Sequence, residues 1–514
     1  MYVCINPHIQ TKETHFSLTL HMEGLKPIRV TKEEGGEEGQ LLSPMSRIFH
    51  QPNSSIYIIV FVGFKTPINP DAIKATLAHI FLKHPHFCSL LVVDDKNGVE
   101  MRWVRTQVNI DNHVIVPMLD PSMEMESPDK FVEDYASNLS KTAINKSIPL
   151  WDVHLLNFKT SEAESTIILR VHHSLCDGIS LMSMLLSCAR KVSKAEEPPT
   201  IPTIKKRNPK NVNSGGFWQF FLKLWWLMLL CWNTIIDVAM FMATVFFLED
   251  TKTPLKGPGF RFGFESTPGP RRFVHSTISL DDVKLVKNAM DATINDVMMG
   301  VTQAGLSRYL NRKYGEIKKR DEATEEKNNL PRNIRLRATL AANIRSSSSI
   351  QASDDIISRN TKGNKIGLVL FPFKIALRDD PLEYVREAKV AVDRKKASFE
   401  AKFVHFMSKF CSKFIALKIA NMPSQTTLGF SNMPGPQEEI SYHGHPVAFI
   451  APTIYGQQCG LMIHIMSYVK KMKIILSVDE SIVPDPHQLC DDFLNSFQLI
   501  KEAVLAEKGF IHES

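Results

Sequence analysis

The residues best equipped for chemistry lie together in one short stretch, Val171-His172-His173-Ser174-Leu175-Cys176-Asp177-Gly178. An imidazole has an unperturbed pKa of about 6.5, so a histidine here can accept a proton at cellular pH. An alcohol oxygen attacks a carbonyl poorly until a base removes its proton. His173 opens the spacing His-x-x-x-Asp with Asp177 and is the candidate base, which makes the chemistry acyl transfer. His172 is assigned to support the turn. Gly178 removes a side chain where the turn or a substrate needs room, and N–H groups beside it are candidates to hold an oxyanion.

Those residues need a rigid mount. Just upstream, Thr166-Ile167-Ile168-Leu169 reads as a buried strand, short, apolar and β-branched. Downstream, Leu181, Leu185, Cys188, Ala189 and Val192 recur at helical spacing. The histidines therefore fall at a strand-to-helix turn, where an imidazole is held firmly and still reaches a cavity.

The pattern His-His-x-x-x-Asp-Gly resembles the signature of the CoA-dependent acyltransferase superfamily. Flanking segments narrow the likeness to the plant branch of the wax ester synthase/diacylglycerol acyltransferase family. They are Pro149-Leu150-Trp151, Asn295-Asp296, Pro44-Met45-Ser46, Asn343-Ile344-Arg345 and Ser431-Asn432-Met433-Pro434-Gly435-Pro436. The likeness runs from about Leu42 to about Ala506. It implies a layered α/β (α+β) fold of two chloramphenicol-acetyltransferase-like lobes, with the active site in a channel between them. It also implies acyl-CoA as co-substrate with no bound cofactor, and a long-chain alcohol or diacylglycerol as acceptor. In the family the motif aspartate orders its loop through an arginine, which here makes Arg345 or Arg170 the partner expected for Asp177. Asn295 and Asn432 become candidate substrate-binding residues. Asp296 reads as a helix cap, and Pro149 and Trp151 as packing residues.

At 514 residues the chain is long enough for two or more sizeable cores. The net charge of +7 is modest and mostly unclustered, which disfavours nucleic acid and fits a mild attraction to anionic membranes. The eight cysteines are scattered without a Cys-x-x-Cys pair, so neither a metal centre nor a disulfide framework is expected. His443-Gly444-His445 lacks a supporting carboxylate cluster, and no metal is assigned there.

Residues 1–40 end in an acidic, glycine-rich run and read as a mobile tail. Residues 41–200 form the lobe carrying the motif, 201–270 a basic linker and apolar segment, and 271–514 the second lobe. Periodicity predicts a helix from Pro70 with Ile73, Leu77, Ile80 and Phe81 on one face, and another near Lys130–Thr142. A phenylalanine-rich helix is expected over 403–420, with Phe406 and Phe410 at core spacing, and an amphipathic helix closes the chain from Pro486. His84, His86 and His464 read as ordinary surface or core residues.

Phe217 to Leu248 is the most apolar stretch and holds four of the six tryptophans. As a helix it would extend about 48 Å, beyond a hydrocarbon core of about 30 Å. Three readings compete: a single membrane span, an in-plane or re-entrant anchor, and a buried tunnel element. A single span would put the two halves on opposite membrane faces, so a cleft between them could not assemble. A segment that enters and leaves by one face is favoured. Lys205, Lys206, Arg207 and Lys210 would keep that face cytosolic. The family likeness then implies the endoplasmic reticulum membrane with cytosolic lobes, or the plasma membrane, and membrane lipid as a partner. Two alternatives stand beside this reading: an acyltransferase for a soluble acceptor, and a catalytically idle lipid-binding partner with the same fold.

Overall fold

The structure is a computed structural model that describes residues 39–50, 55–93, 101–118, 127–200, 216–257, 269–318, 328–344, 364, 366–410, 419 and 422–512. The expected tail up to residue 38, most of the basic linker and Arg345 lie outside the described residues. The first half runs β1 (Gln40–Leu41), α1 (Pro44–Ile48), β2 (Tyr57–Phe64), α2 (Pro70–Phe81), β3 (Ser89–Val93), β4 (Met101–Arg105) and β5 (Val114–Ile115). It continues through α3 (Pro128–Ser140), β6 (Trp151–Leu156), β7 (Ser165–His172), α4 (Gly178–Cys188) and β8 (Arg190–Lys191). A long helix, α5 (Gly216–Phe246), leads to β9 (Arg271–Ser279), α6 (Leu280–Ala289), α7 (Ile294–Lys318), β10 (Arg335–Asn343) and β11 (Ile366–Lys374). Next come α8 (Leu382–Lys396), α9 (Glu400–Phe410), β12 (Leu428–Met433), β13 (Ile440–Tyr442) and β14 (His445–Tyr455). The chain closes with β15 (Leu461–Tyr468), β16 (Lys471–Asp479) and α10 (Pro486–His512).

Local chemistry accounts for the elements that matter most. Asn69 caps α2 by accepting from the Asp71 N–H at 2.9 Å, Pro70 occupies the first helical position, and Ile73, Leu77, Ile80 and Phe81 are buried. β2 and β7 are buried at every position, as continuous apolar runs require when both sheet faces are covered. They pair antiparallel with Tyr57 opposite His172, so His173 emerges where the sheet ends.

Two mixed sheets carry the fold. The first has strand order β5-β6-β7-β2-β14-β13-β8 and the second β11-β10-β12-β15-β16-β9, with a small β1-β4-β3 sheet beside them. One feature cuts across the sequence division near residue 271. β13 and β14, from deep in the second half, belong to the first sheet, where Ala451 lies opposite Phe61. Met466 and Ile475, from the second sheet, are likewise buried in the first core. The second core packs β10, β12, β15 and β16 under α6, α7, α8 and α10. A third, smaller cluster joins Met45, Ile48, Phe49 and Ile56 to Phe241 and Val245 of α5 and to Leu370, Val404, Ile419 and Met422.

The phenylalanine-rich segment is only partly a core element: Phe406 is 55 % exposed, whereas Val404 is buried. Helical spacing alone does not say whether an apolar face meets protein or something else.

The C-terminal end of α5 is fastened by one buried carboxylate. Asp250 accepts from the Arg337 Nε at 2.6 Å, the Arg337 backbone N–H at 2.7 Å and the Thr427 hydroxyl at 2.8 Å. Arg337 in turn donates to the Leu248 carbonyl at 3.0 Å. Removing one partner strands the other charge in the interior. Asp250→Ala is therefore expected to cost about 3–5 kcal/mol, read as a lowered urea midpoint, with Asp250→Glu losing less.

Candidate active site

The motif loop is built from three short devices. His172 ends β7, and its ring nitrogens face hydroxyls on both sides, Nδ1 to Ser174 Oγ at 2.7 Å and Nε2 to Ser55 Oγ at 3.2 Å. It stacks on His50 with ring centres 4.2 Å apart. Asp177 caps α4, its carboxylate accepting from the Ser180 N–H at 2.9 Å. The His86 ring holds the Leu175 carbonyl at 3.1 Å, which fixes the middle of the loop.

His173 lies between these devices and is clamped through its backbone. Its N–H donates to the Ile56 carbonyl at 2.8 Å, and its carbonyl accepts from the Asn364 amide at 3.0 Å. The same amide donates to Ser46 Oγ at 3.1 Å, and that hydroxyl donates to the Ser174 carbonyl at 3.0 Å. The ring rests on Phe49, with centres 4.3 Å apart. Nδ1 is buried without a hydrogen-bond partner, and the residue's own backbone and the Asn364 side chain lie near the ring. Burial lowers the His173 pKa below 6.5, and the charge of Asp177 works in the other direction. The ring is therefore neutral, and able to accept a proton, at cellular pH.

The loop sits where the two halves meet. A side chain at Gly178 would find Met433 Sδ at 3.5 Å, an ordinary contact, so the glycine leaves a gap against β12. His464 of β15, pushed down to about 3 mainly by burial, also feels His173. The pleat matters here. Met433 and Met466 face the first core, whereas Ile463 and Ile465 face the second, and Asn432 is paired with Ile465. Asn432 thus shares the face that looks away from the motif, and Met433 is the residue of that segment that meets it.

The remaining candidates are dispersed. Asn295 is half-buried in the first turn of α7, with no hydrogen bond to the motif loop among the described residues. Asp296 caps the same helix, accepting from the Thr293 N–H at 2.8 Å while its own N–H reaches Thr293 Oγ1 at 3.2 Å. Trp151 is fully buried and donates to the Phe87 carbonyl at 3.0 Å, a packing role. Arg170 is not the partner of Asp177. Its guanidinium is paired with Asp152, Nε to Oδ1 at 2.8 Å, because the β6–β7 register sets the two residues directly opposite on one face. Among the described residues no group of three or more His, Cys, Asp or Glu is set to hold a metal ion.

Known proteins match along nearly the whole chain. The wax ester synthase/diacylglycerol acyltransferase catalytic domain matches residues 69–298, and the WS/DGAT C-terminal domain matches 362–501. Wax ester synthase/diacylglycerol acyltransferase 11 of Arabidopsis thaliana is 46% identical over 95% of this chain and 98% of its own. The chain belongs to the wax ester synthase/diacylglycerol acyltransferase family. It is an acyltransferase of that family. Wax ester synthase/diacylglycerol acyltransferase 5 of Arabidopsis thaliana is 43% identical over 92% of this chain and 95% of its own. Among solved structures, the wax ester synthase/diacylglycerol acyltransferase from Marinobacter aquaeolei VT8 superposes with a TM-score of 0.57. It covers 90% of this chain and 100% of its own at 15% identity, a likeness in fold.

Within this family member, sequence reasoning missed Asn364, which touches the motif, and His464, which lies near enough to feel the charge of His173. Asn364 carries no local motif beyond a polar residue just before the partly buried strand β11. His464 could have been flagged, because it alternates with Met462 and Met466 on the face of β15 that turns toward the first half. Loss of the Asn364 amide leaves the His173 carbonyl and Ser46 without their shared donor. Asn364→Ala is expected to lower kcat about tenfold or more with a smaller change in KM, and Asn364→Asp to recover little, since its carboxylate cannot donate. The buried histidines also set an acid limit. Burial holds His84 at about 3 and His50 at about 4, whereas the unfolded chain titrates near 6.5. Their contribution is complete above pH 6.5 and is lost as pH falls toward 4. Urea midpoints at pH 7.5, 6 and 5 should fall in that order, and His84→Gln should flatten the trend.

Proposed function

We propose that this acyltransferase moves a fatty acyl group from acyl-CoA to a long-chain alcohol, giving a wax ester, with diacylglycerol as a second acceptor. The observation that carries the reading is the His173 ring: fixed through its backbone, neutral, and resting on Phe49 within an apolar cluster. A proton on Nδ1, toward the residue's own backbone, leaves the Nε2 lone pair for the substrate.

The steps balance without an enzyme nucleophile. The acceptor hydroxyl oxygen bonds to the thioester carbonyl carbon while Nε2 takes the hydroxyl proton. The resulting oxyanion is met by the Gly178 and Ile179 N–H groups at the start of α4, which have no intrahelical acceptor and lie at the positive end of its dipole, while the Ser180 N–H is held by Asp177. The C–S bond then breaks, and the imidazolium returns its proton to the departing thiolate. Asp177 supports the base by ordering the loop and by favouring the protonated ring during transfer. Long substrates fit an apolar surround, since each buried methylene contributes about 0.8 kcal/mol.

The protein is placed at the endoplasmic reticulum membrane with its lobes on the cytosolic side. Supporting this, Phe220–Phe246 has the length and hydropathy of a membrane helix and only 28% of its most apolar window is buried. The basic cluster Lys205, Lys206, Arg207 and Lys210 precedes it.

His173→Ala is expected to lower turnover by two orders of magnitude or more with the fold kept, in a host lacking neutral lipids and fed defined alcohols. Equal ester formation by wild type and variant would remove His173 from the mechanism. Because the His173 pKa lies below 6.5, kcat/KM should stay flat from pH 8 to about 6.5 and decline only on further acidification. A decline beginning above pH 7 would assign the base elsewhere.

A further inference from the structure

Where α5 leaves the protein it is apolar on nearly every side, Lys223 being the one charged residue between Phe220 and Leu229, with a side chain long enough to carry its ammonium toward the headgroups. All residues from Phe220 to Leu229 are exposed, and Trp218, Trp225, Trp226 and Trp232 are 61%, 59%, 57% and 62% exposed. That run covers every direction around a helix of 3.6 residues per turn, so no single stripe is singled out. A second copy or another protein helix would cover one stripe and leave the rest in water. A lipid phase covers all of them, and tryptophan favours its headgroup boundary.

The other half of α5 is protein-bound. Asp237 is buried and accepts from Arg394 Nη2 at 2.9 Å and Lys395 Nζ at 2.8 Å. Phe241 and Val245 join the third apolar cluster. The free part, Trp218 to Trp232, is about 21 Å long, short of a hydrocarbon core of about 30 Å.

Both flanks are tied to the same body. After α5, Asp250 is locked to Arg337. Before it, Thr200 gives its N–H and its hydroxyl to Glu438 at 3.2 and 2.6 Å. Only residues 201–215, fifteen in all, join Thr200 to Gly216. As a helix they would rise about 22 Å, too little for a return crossing. An extended return would drag unpaired peptide groups, with Lys205, Lys206, Arg207 and Lys210, through hydrocarbon.

We propose that α5 enters a single leaflet, with Trp218–Trp232 sunk into it and both flanks on the side of the lobes. The proposal rests on the membrane residence argued above and decides how that residence is achieved. It also gives the acceptor a direction of approach. Phe241 and Val245 share a cluster with Phe49, which touches the His173 ring, so apolar contact runs from the leaflet to the base.

The test uses the full chain in sealed microsomes. Ser214→Cys should gain one membrane-impermeant PEG-maleimide over wild type without detergent. A label at that position only after detergent would overturn the single-leaflet arrangement while leaving residence intact. In parallel, the pair Trp225→Glu and Trp226→Glu should cut co-flotation with phosphatidylcholine–phosphatidylserine vesicles at least tenfold, with an unchanged circular dichroism spectrum. Unchanged flotation of that variant would overturn the proposal, as would tryptophan-dependent dimerisation of wild type in place of vesicle binding. Failure of wild type to float at all would instead remove membrane residence itself.

Discussion

A ring proposed as a general base must be fixed in space and yet keep one nitrogen uncommitted, and His173 meets that constraint through its backbone. Side-chain hydrogen bonds would hold the ring as firmly but would spend the lone pair that catalysis needs. Here the Ile56 carbonyl and the Asn364 amide hold the peptide groups on either side of the Cα instead. The cost is a buried Nδ1 without a partner, a deficit of about 1–3 kcal/mol that the surrounding packing must offset. His172, one residue earlier, shows the contrast. Its two nitrogens face Ser174 and Ser55, so it is firm but occupied.

The packing that offsets this strain is largely aromatic. His172 stacks on His50, His50 meets Trp103 edge-on at 6.5 Å, and Trp103 stacks on His86. His86 then returns to the motif through the Leu175 carbonyl. A column of stiff rings closes on the loop it supports, which limits how far His173 can drift. Neutral histidines suit such a column: they pack like aromatics and still carry a polar handle for a carbonyl.

Much of this was legible in the sequence because it is local. The Asn69-Pro70 start of α2 and the Thr293/Asp296 cap of α7 each depend on residues within three positions, whereas the capping role of Asp177 was not among the expectations. The strand-to-helix placement of the histidines followed from the β-branched run before them and the helical spacing after them. What escaped was long-range. Asn364 reaches His173 across 191 residues of sequence, and no periodicity announces such a contact. Arg170, one of the two partners expected for Asp177, meets Asp152 instead because strand register, not proximity in sequence, decides which carboxylate an arginine meets. Phe406 kept its helical spacing but faces outward, since an apolar stripe records only that water is avoided.

The exchange of strands bears on how such a site comes into being. β2 is flanked by β7 on one side and by β14 on the other, and every residue of β2 is buried. Without β14, residues 41–200 would present an apolar strand edge with unpaired peptide groups, which invites association with other chains. The two halves are therefore not independent bodies that later dock. Asn364 and Met433 meet the motif only after most of the chain has been made, and β14 closes the first sheet late in the sequence as well. Closure of the sheet and completion of the surroundings of the base thus both depend on late segments. A chain that has not finished folding has the two histidines but not the clamp, which ties acyl transfer to the complete fold.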